Sequence, residues 1–345
     1  MNPPGPILGW DVGGANIKVA RIDRGASPTV LERAFPLWRE FARLPSVLSE
    51  QAEAAGPAAS MAVTMTAELA DCFATKREGV AFVIDAFRVA FPASALFVYG
   101  VDGRFRSADE ARDQPEQVAA ANWMASATMA ARSCPDALFI DVGSTTTDVI
   151  PIAGGEVVAA GHTDISRLGS GELVYTGVLR TPVCAIVRHV PLPGGRTGVA
   201  AEHFAIAADV YRWLGRIDEP DYTCETPDGR GRSRLESGAR LARMVCADLE
   251  TLGEGDVTTI ADHVARAQVL QVVDGIRQVL RQRGAEGPRV AVVAGAGVFL
   301  ARESAIAAGL AVEELAGEIG SEAARSAPAA AVAVLLSELL STAQR

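Results

Sequence analysis

Two short stretches of the chain, Asp11-Val-Gly-Gly-Ala-Asn16 and Asp141-Val-Gly-Ser-Thr-Thr146, carry the residue types that hold a phosphate. A phosphate needs backbone N–H donors at close approach, hydroxyl or amide side chains, and a neutralising cation. Gly13, Gly14, Ala15 and Asn16 meet that description, and so do Gly143, Ser144, Thr145 and Thr146. Asp11 and Asp141 stand where apolar runs end, and suit Mg²⁺, which binds through one or two carboxylates plus substrate oxygens. One such stretch is a turn in most proteins. Two of them, with a late Gly295-Ala-Gly297 after another apolar run, are hard to explain as turns.

For these groups to meet, the chain must bring several strand ends together. Ile7–Trp10 reads as a strand entering the first glycine turn, Ile17–Ile22 as its return, and Val30–Leu37 as a third strand. Leu44–Ala55 is helical in composition, and Ala59–Met65 and Ala95–Tyr99 read as buried strands. Helical spacing of Val80, Val83, Ile84, Phe87 and Phe91 predicts a helix over Arg77–Phe91, stopped by Pro92. Gln114–Arg132 reads as one Ala-rich helix. The opening pattern then returns: aligning Asp11 with Asp141 also matches Val12 with Val142, Gly13 with Gly143 and Val19 with Val149. From Pro191 to about Arg234 the chain reads as loops and an irregular insertion, with a possible helix at Ala201–Leu214. Leu235–Leu249, Val257–Gln282 and a terminal stretch from Pro328 to Leu340 read as helices, and Arg289–Ala294 as a last strand. Strands alternating with helices indicate an α/β fold.

Composition narrows the function. The chain has 345 residues, 49% hydrophobic and 21% charged, enough for two domains with separate cores. A formal net charge of −10 argues against nucleic acid as a partner, because binding it takes clustered Lys and Arg. No apolar run reaches the length of a membrane span, and Met1–Leu8 lacks a signal-peptide pattern, so a cytoplasmic location is expected. Five scattered cysteines (Cys72, Cys134, Cys184, Cys224 and Cys246) and four histidines without ligand spacing fit reduced thiols and no zinc site.

The three glycine motifs resemble the first phosphate, second phosphate and adenosine motifs of the ASKHA superfamily, which includes sugar kinases, actin and the heat-shock ATPases. That resemblance implies two ribonuclease-H-like domains, 1–135 and 136–345, with an insertion around 190–250 and a ligand in the cleft between them. The segments 9–16, 65–71, 139–148 and 171–182 are similar, more narrowly, to the hydantoinase/oxoprolinase-related proteins of tetrahydromethanopterin-linked one-carbon metabolism. Archaeal members of that group are methanofuran-biosynthesis synthases. The resemblance implies a Mg²⁺-dependent transferase that joins an aminomethylfuran-methyl diphosphate to the phenol of a tyramine- or tyrosine-type acceptor and releases pyrophosphate. It leaves two alternatives open: an ATP-dependent small-molecule kinase or ATP-driven amidohydrolase of the same fold, and a non-enzymatic nucleotide-binding actin-like protein. A monomer or homodimer is expected.

Within that expectation, Asp11 and Asp141 place Mg²⁺, and Lys18 either reaches a phosphate or faces solvent. Lys76 and Arg77, at a predicted helix start, either attract an anion or form a solvated first turn. A phenol with an ordinary pKa of about 10 needs a general base. Asp148, Asp164 and Glu172 are candidates, Asp141 could serve instead, and Glu68 and Asp71 are further acidic options. Tyr175 and Arg180 are expected at the acceptor, Arg180 either pairing a carboxylate or bridging the domains. Gly295 and Gly297 would line the adenosine pocket, which here would hold the furan or stay vestigial.

Overall fold

The computed structural model describes residues 5–23, 27–284 and 287–342. The Pro-rich start at residues 1–4, part of the reading against a signal peptide, lies outside them.

The first sheet contains β1 (Ile7–Val12), β2 (Asn16–Ile22), β3 (Thr29–Ala34), β4 (Ser60–Met65), β5 (Ala95–Tyr99) and β6 (Phe105–Ser107), in the order β3-β2-β1-β4-β5-β6. The second contains β7 (Ala137–Val142), β8 (Thr147–Ala153), β9 (Glu156–Val157) and β10 (Leu173–Val174). After a separate hairpin of β11 (His189–Leu192) and β12 (Gly195–Gly198), it is completed by β13 (Val290–Ala294) and β14 (Ala311–Glu314), in the order β10-β8-β7-β13-β14 with β9 beside β8. Each sheet opens with an antiparallel hairpin and continues with parallel strands.

Strand alternation sets where the two aspartates point, since residues two apart share a face. Leu8, Trp10 and Val12 enter the core under helices Leu44–Ala55 and Lys76–Ala90. Ile7, Gly9 and Asp11 therefore face the other way. Likewise Leu138, Ile140 and Val142 enter the second domain's outer core, and Phe139 and Asp141 face inward. Both inward faces share one apolar layer, containing Ile7, Ala62, Phe139, Ile150 and Val292 together with helices Asn122–Ser133 and Ala327–Thr342. Asp11 and Asp141 thus stand at the ends of two central strands on opposite sides of one layer.

Gly9 makes this layer thin. A Cβ there would lie 2.2 Å from the Ala329 carbonyl oxygen and 2.7 Å from the Ala333 Cβ, so the terminal helix seats its alanines directly on β1. The helix is buried over Ala327–Ala333 and packs within the chain. The last helix of the chain thus lies on the first sheet.

Two other segments depart from expectation. Gln114–Arg132 is a short 3-10 turn, Pro115–Gln117, then a break, then helix Asn122–Ser133. The break holds Ala120 at φ 50°, a left-handed conformation invisible to helix-forming composition. The region read as an irregular insertion has a core of its own, with Val190, Val210, Trp213, Leu241 and Met244 against helix Glu254–Arg283. The helix there is Ala207–Trp213. The buried ion pair Arg240–Asp209 (2.7 Å), with the Tyr222 hydroxyl on the same carboxylate at 3.0 Å, ties it to helix Arg234–Arg243. Asp228, in the Gly-Arg loop, accepts from Arg240 and Arg243 at 3.1 Å each, so that loop is anchored.

Candidate active site

The two glycine stretches fold alike. Gly13 N–H donates to Asn16 O at 3.0 Å, and Gly143 N–H to Thr146 O at 2.9 Å. Each turn is braced from behind. Phe35 and Leu37 donate to Ala15 and Gly14, while Val178, Leu179 and Arg180 donate to Gly143 and Ser144. No acceptor within the described residues takes the amides of Gly14, Ala15, Ser144, Thr145 or Thr146. The turns thus present partly open backbone donors, the feature that binds phosphate. Gly177 is required for the second turn, since a Cβ there would lie 2.5 Å from Thr145 N. Thr181 and Gln268 hold Gly177 from behind, Gln268 reaching its carbonyl at 2.8 Å.

The ladder register fixes the groups beside each aspartate. Asp11 pairs with Lys18 and Thr64, and Asp141 with Asp148 and Ala294. Directly paired residues share a face, so Lys18 lies on the Asp11 face, half-buried, rather than on the solvent face. Asp148 is its counterpart in the second domain. Asp11 and Asp141 are 8% and 9% exposed. Burial pushes the Asp11 carboxyl up to about 6 against the pull of Lys18. It pushes Asp141 up to about 7, with the charge of Asp148 adding to the rise and Lys18 opposing it.

Asp11 and Asp141 are the residues that could hold a divalent cation. The Asp11 Oδ1 is buried without a hydrogen-bond partner, as is the neighbouring Thr64 Oγ1. Asp141 is the second buried carboxylate, from the other domain. Among the described residues no group of three or more His, Cys, Asp or Glu is arranged to hold a metal alone. A two-carboxylate site completed by water and substrate oxygens is the magnesium pattern.

The remaining candidates separate. Asp148 makes a buried ion pair with Arg167 at 2.6 Å, and burial still holds its carboxyl above the usual range. Arg167 also stacks 4.3 Å over the Trp123 ring. Glu172, 1% exposed, accepts from Ala160 N (2.6 Å), Gly161 N (2.8 Å) and Ser170 Oγ (2.9 Å), so the loop it closes already takes both of its oxygens. Lys76 reaches across to Asp164 at 2.5 Å and lies 3.9 Å from Glu68. Its helix start is capped internally: Thr75 Oγ1 accepts from Glu78 N, and Glu78 accepts from Ala74 N. Arg77 is exposed. That helix end therefore offers an ion-pair bridge between the domains in place of an open anion site. Tyr175 is 68% exposed. Arg180 lies 5.3 Å over the Trp38 ring of the first domain, joining the braces of the two turns. Gly295 (φ 92°) and Gly297 pack on the second turn: a Cβ would meet Asp141 Oδ1 at 2.2 Å in one case and the Val142 side chain at 2.5 Å in the other. Arg167 and Trp38 escaped the sequence reading, because neither lies in a glycine motif and each acts through a partner distant in the chain.

One consequence is measurable without substrate. A carboxyl with a raised folded pKa keeps its proton in the native state where the unfolded chain has lost it, so its contribution to stability declines as pH rises from about 4 to about 7. In magnesium-free buffer, Asp141→Asn is therefore expected to gain on the parent between pH 5 and pH 8, by about 1–3 kcal/mol. Urea unfolding at the two pH values tests this. An unchanged difference would show that Asp141 titrates normally.

The two sheets and their connections define an actin-like, sugar-kinase-like fold of two ribonuclease-H-like domains. Among solved structures, the nucleotide-free acetone carboxylase has a TM-score of 0.54 at 10% identity, covering 90% of this chain and 68% of that one. The ROK-family glucokinase of Streptomyces griseus has a TM-score of 0.50 at 13% identity, covering 96% and 99%. At those identities the likeness is one of fold. The Hydantoinase/oxoprolinase family profile matches residues 60–339, and the chain belongs to that family. It is 40% identical over 257 residues to the (4-{4-[2-(gamma-L-glutamylamino)ethyl]phenoxymethyl}furan-2-yl)methanamine synthase of Methanocaldococcus jannaschii, covering 74% of this chain and 76% of that protein. It is 34% identical over 147 residues to the protein of the same name from Methanococcus vannielii, covering 43% and 66%. No helix among the described residues is long and apolar enough to cross a membrane.

Proposed function

We propose that this chain is a methanofuran-type synthase, which joins the CH₂ of an aminomethylfuran-methyl diphosphate to a phenol and releases pyrophosphate. The observation that carries this reading is the pair of braced glycine turns, each with free amides and a buried aspartate, on opposite sides of one layer. The product named for the Methanocaldococcus jannaschii relative contains a phenoxymethyl-furan ether. Making such an ether requires a phenol oxygen to displace a leaving group from the furan CH₂. Two phosphate-type turns suit diphosphate as that group.

The furan ring delocalises positive charge at the CH₂, so the main demand is stabilisation of the departing anion. The amides of Gly14, Ala15, Ser144 and Thr145 would bind its oxygens, and Lys18 would add a positive charge on the Asp11 side. Asp11 and Asp141 would hold Mg²⁺, whose chemistry when bound is to neutralise charge on phosphate oxygens. Arg180, kept flat by Trp38, is placed to orient an anionic group near the second turn.

The test mixes the protein with Mg²⁺, the furan diphosphate, and in turn tyramine, γ-glutamyltyramine and tyrosine, with ATP in a parallel tube. Acceptor-dependent pyrophosphate without ATP is expected, and the preferred phenol names the acceptor. ADP formation without pyrophosphate would put a kinase or ATP-driven amidohydrolase in its place.

A further inference from the structure

The reaction leaves one step without a residue, the removal of the phenolic proton. Structure sorts the acids that could take it. Asp148 is paired to Arg167, Asp164 to Lys76, and Glu172 to three donors of its own loop. Asp71 is exposed. Asp11 and Asp141 adjoin the phosphate turns.

Glu68 remains: apart from Asp11, which is assigned to the metal, it is the one of these acids with a buried oxygen that lacks a hydrogen-bond partner. It is 1% exposed, yet its Oε2 has no hydrogen-bond partner. A buried carboxylate oxygen without a donor is costly, and such atoms in native structures call for an explanation. The fold also holds Glu68 in place. Thr66, two residues earlier, donates its N–H to Val12 O at 2.9 Å, which fixes this segment beside the first glycine turn. Gly79 then seats the next helix on the Glu68 backbone, since a Cβ there would come within 2.1 Å of the Glu68 carbonyl oxygen. Lys76, at 3.9 Å, ties the position to Asp164 of the facing domain.

We propose that Glu68 is the general base that accepts the acceptor's hydroxyl proton, an assignment that rests on the transferase reading above. The phenolic O–H proton passes to Oε2. The phenol oxygen forms its bond to the furan CH₂ while the bond from that carbon to the diphosphate oxygen breaks, and the pyrophosphate leaves with the electron pair. The proton goes to solvent when product departs. The charged groups facing Glu68 are Lys76 from its own domain and Asp164 from helix Asp164–Ser170. Burial pushes the Glu68 carboxyl up to about 7, with the backbone N–H groups of Glu68 and Ala120 and the charge of Lys76 opposing and Asp164 adding, close to the working pH that suits a general base.

The experiment compares Glu68→Gln with the parent, both Mg²⁺-loaded and full length, on two acceptors: tyramine, and a ring-nitrated tyramine whose phenol ionises near neutrality. With tyramine the variant should lose about 10²–10⁴-fold in kcat/KM. With the nitrated phenol, which needs no base, the loss should shrink to about tenfold or less. Equal losses on both phenols would make Glu68 structural and overturn the assignment, and so would unaltered rates on both. A parent that releases no acceptor-dependent pyrophosphate removes the transferase reading, and the base with it. If the Gln variant does not fold, Glu68→Asp replaces it: a larger loss of kcat/KM with tyramine than with the nitrated phenol is expected, and equal losses overturn the proposal.

Discussion

Asp11→Asn and Asp141→Asn should each lower turnover by about 10²-fold or more while leaving the fold intact. Both carboxylates stand at the ends of central strands and face the same layer, one from each domain. Each is buried, and each is held above the ordinary carboxylate range chiefly by that burial. Such groups are poor stabilisers of the fold, so their presence in both halves of the repeat calls for a ligand that compensates them. Replacing one carboxylate with an amide keeps size and shape and removes the charge that would draw Mg²⁺. Raising the Mg²⁺ concentration should therefore recover part of the lost rate in either variant. The double variant should lose less than the product of the two single losses, because both act on one ion. Pyrophosphate release by the folded variants is the measurement, and near-normal rates in both would remove the two-aspartate clamp.

Much of this geometry was legible in the sequence because it depends on local rules. The repeated Asp-Val-Gly signalled the paired hairpins, and the register bears this out: Lys18 and Asp148 oppose Asp11 and Asp141 at equivalent rungs. Helix Lys76–Ala90 followed from apolar spacing and helix Leu44–Ala55 from composition. What escaped is non-local. The terminal helix reads as apolar, but only the missing Cβ of Gly9 shows that it lies on the first sheet. Glu172 and Glu68 are both acids near glycine-rich turns. The first is satisfied by Ala160, Gly161 and Ser170, while an oxygen of the second is left unpartnered, and no spacing rule distinguishes them. Lys76 sits at a helix start, which in sequence suggests an anion, yet Thr75, Glu78 and Asp164 already occupy that end. Gly295 and Gly297 pack closely on the second turn, a contact that no spacing rule shows.

Arg167→Met should destabilise the protein by about 3–5 kcal/mol, the usual cost of stranding one member of a buried ion pair. Arg167 is 2% exposed and donates through Nη2 to Asp148 at 2.6 Å and to the Glu172 carbonyl at 3.1 Å. Its guanidinium covers Trp123, so it links a second-domain carboxylate to a helix of the shared layer. Methionine fills much of the volume and removes the charge. Asp148 already sits above the ordinary range because burial outweighs Arg167, and without the arginine its folded pKa rises further. The native variant then keeps a proton that the unfolded chain gives up, so the deficit should be largest near pH 8 and shrink as pH falls toward 5. Adding Asp148→Asn removes the stranded charge and should recover most of the stability. It should also lower the Asp141 pKa, because the Asp148 charge is among the causes that raise it. Urea unfolding of the parent, the single variant and the double variant at pH 5.5 and pH 8 separates these effects. A deficit under about 1 kcal/mol, or one unaltered by pH and by the second substitution, would mean that the pair contributes shape and not charge balance.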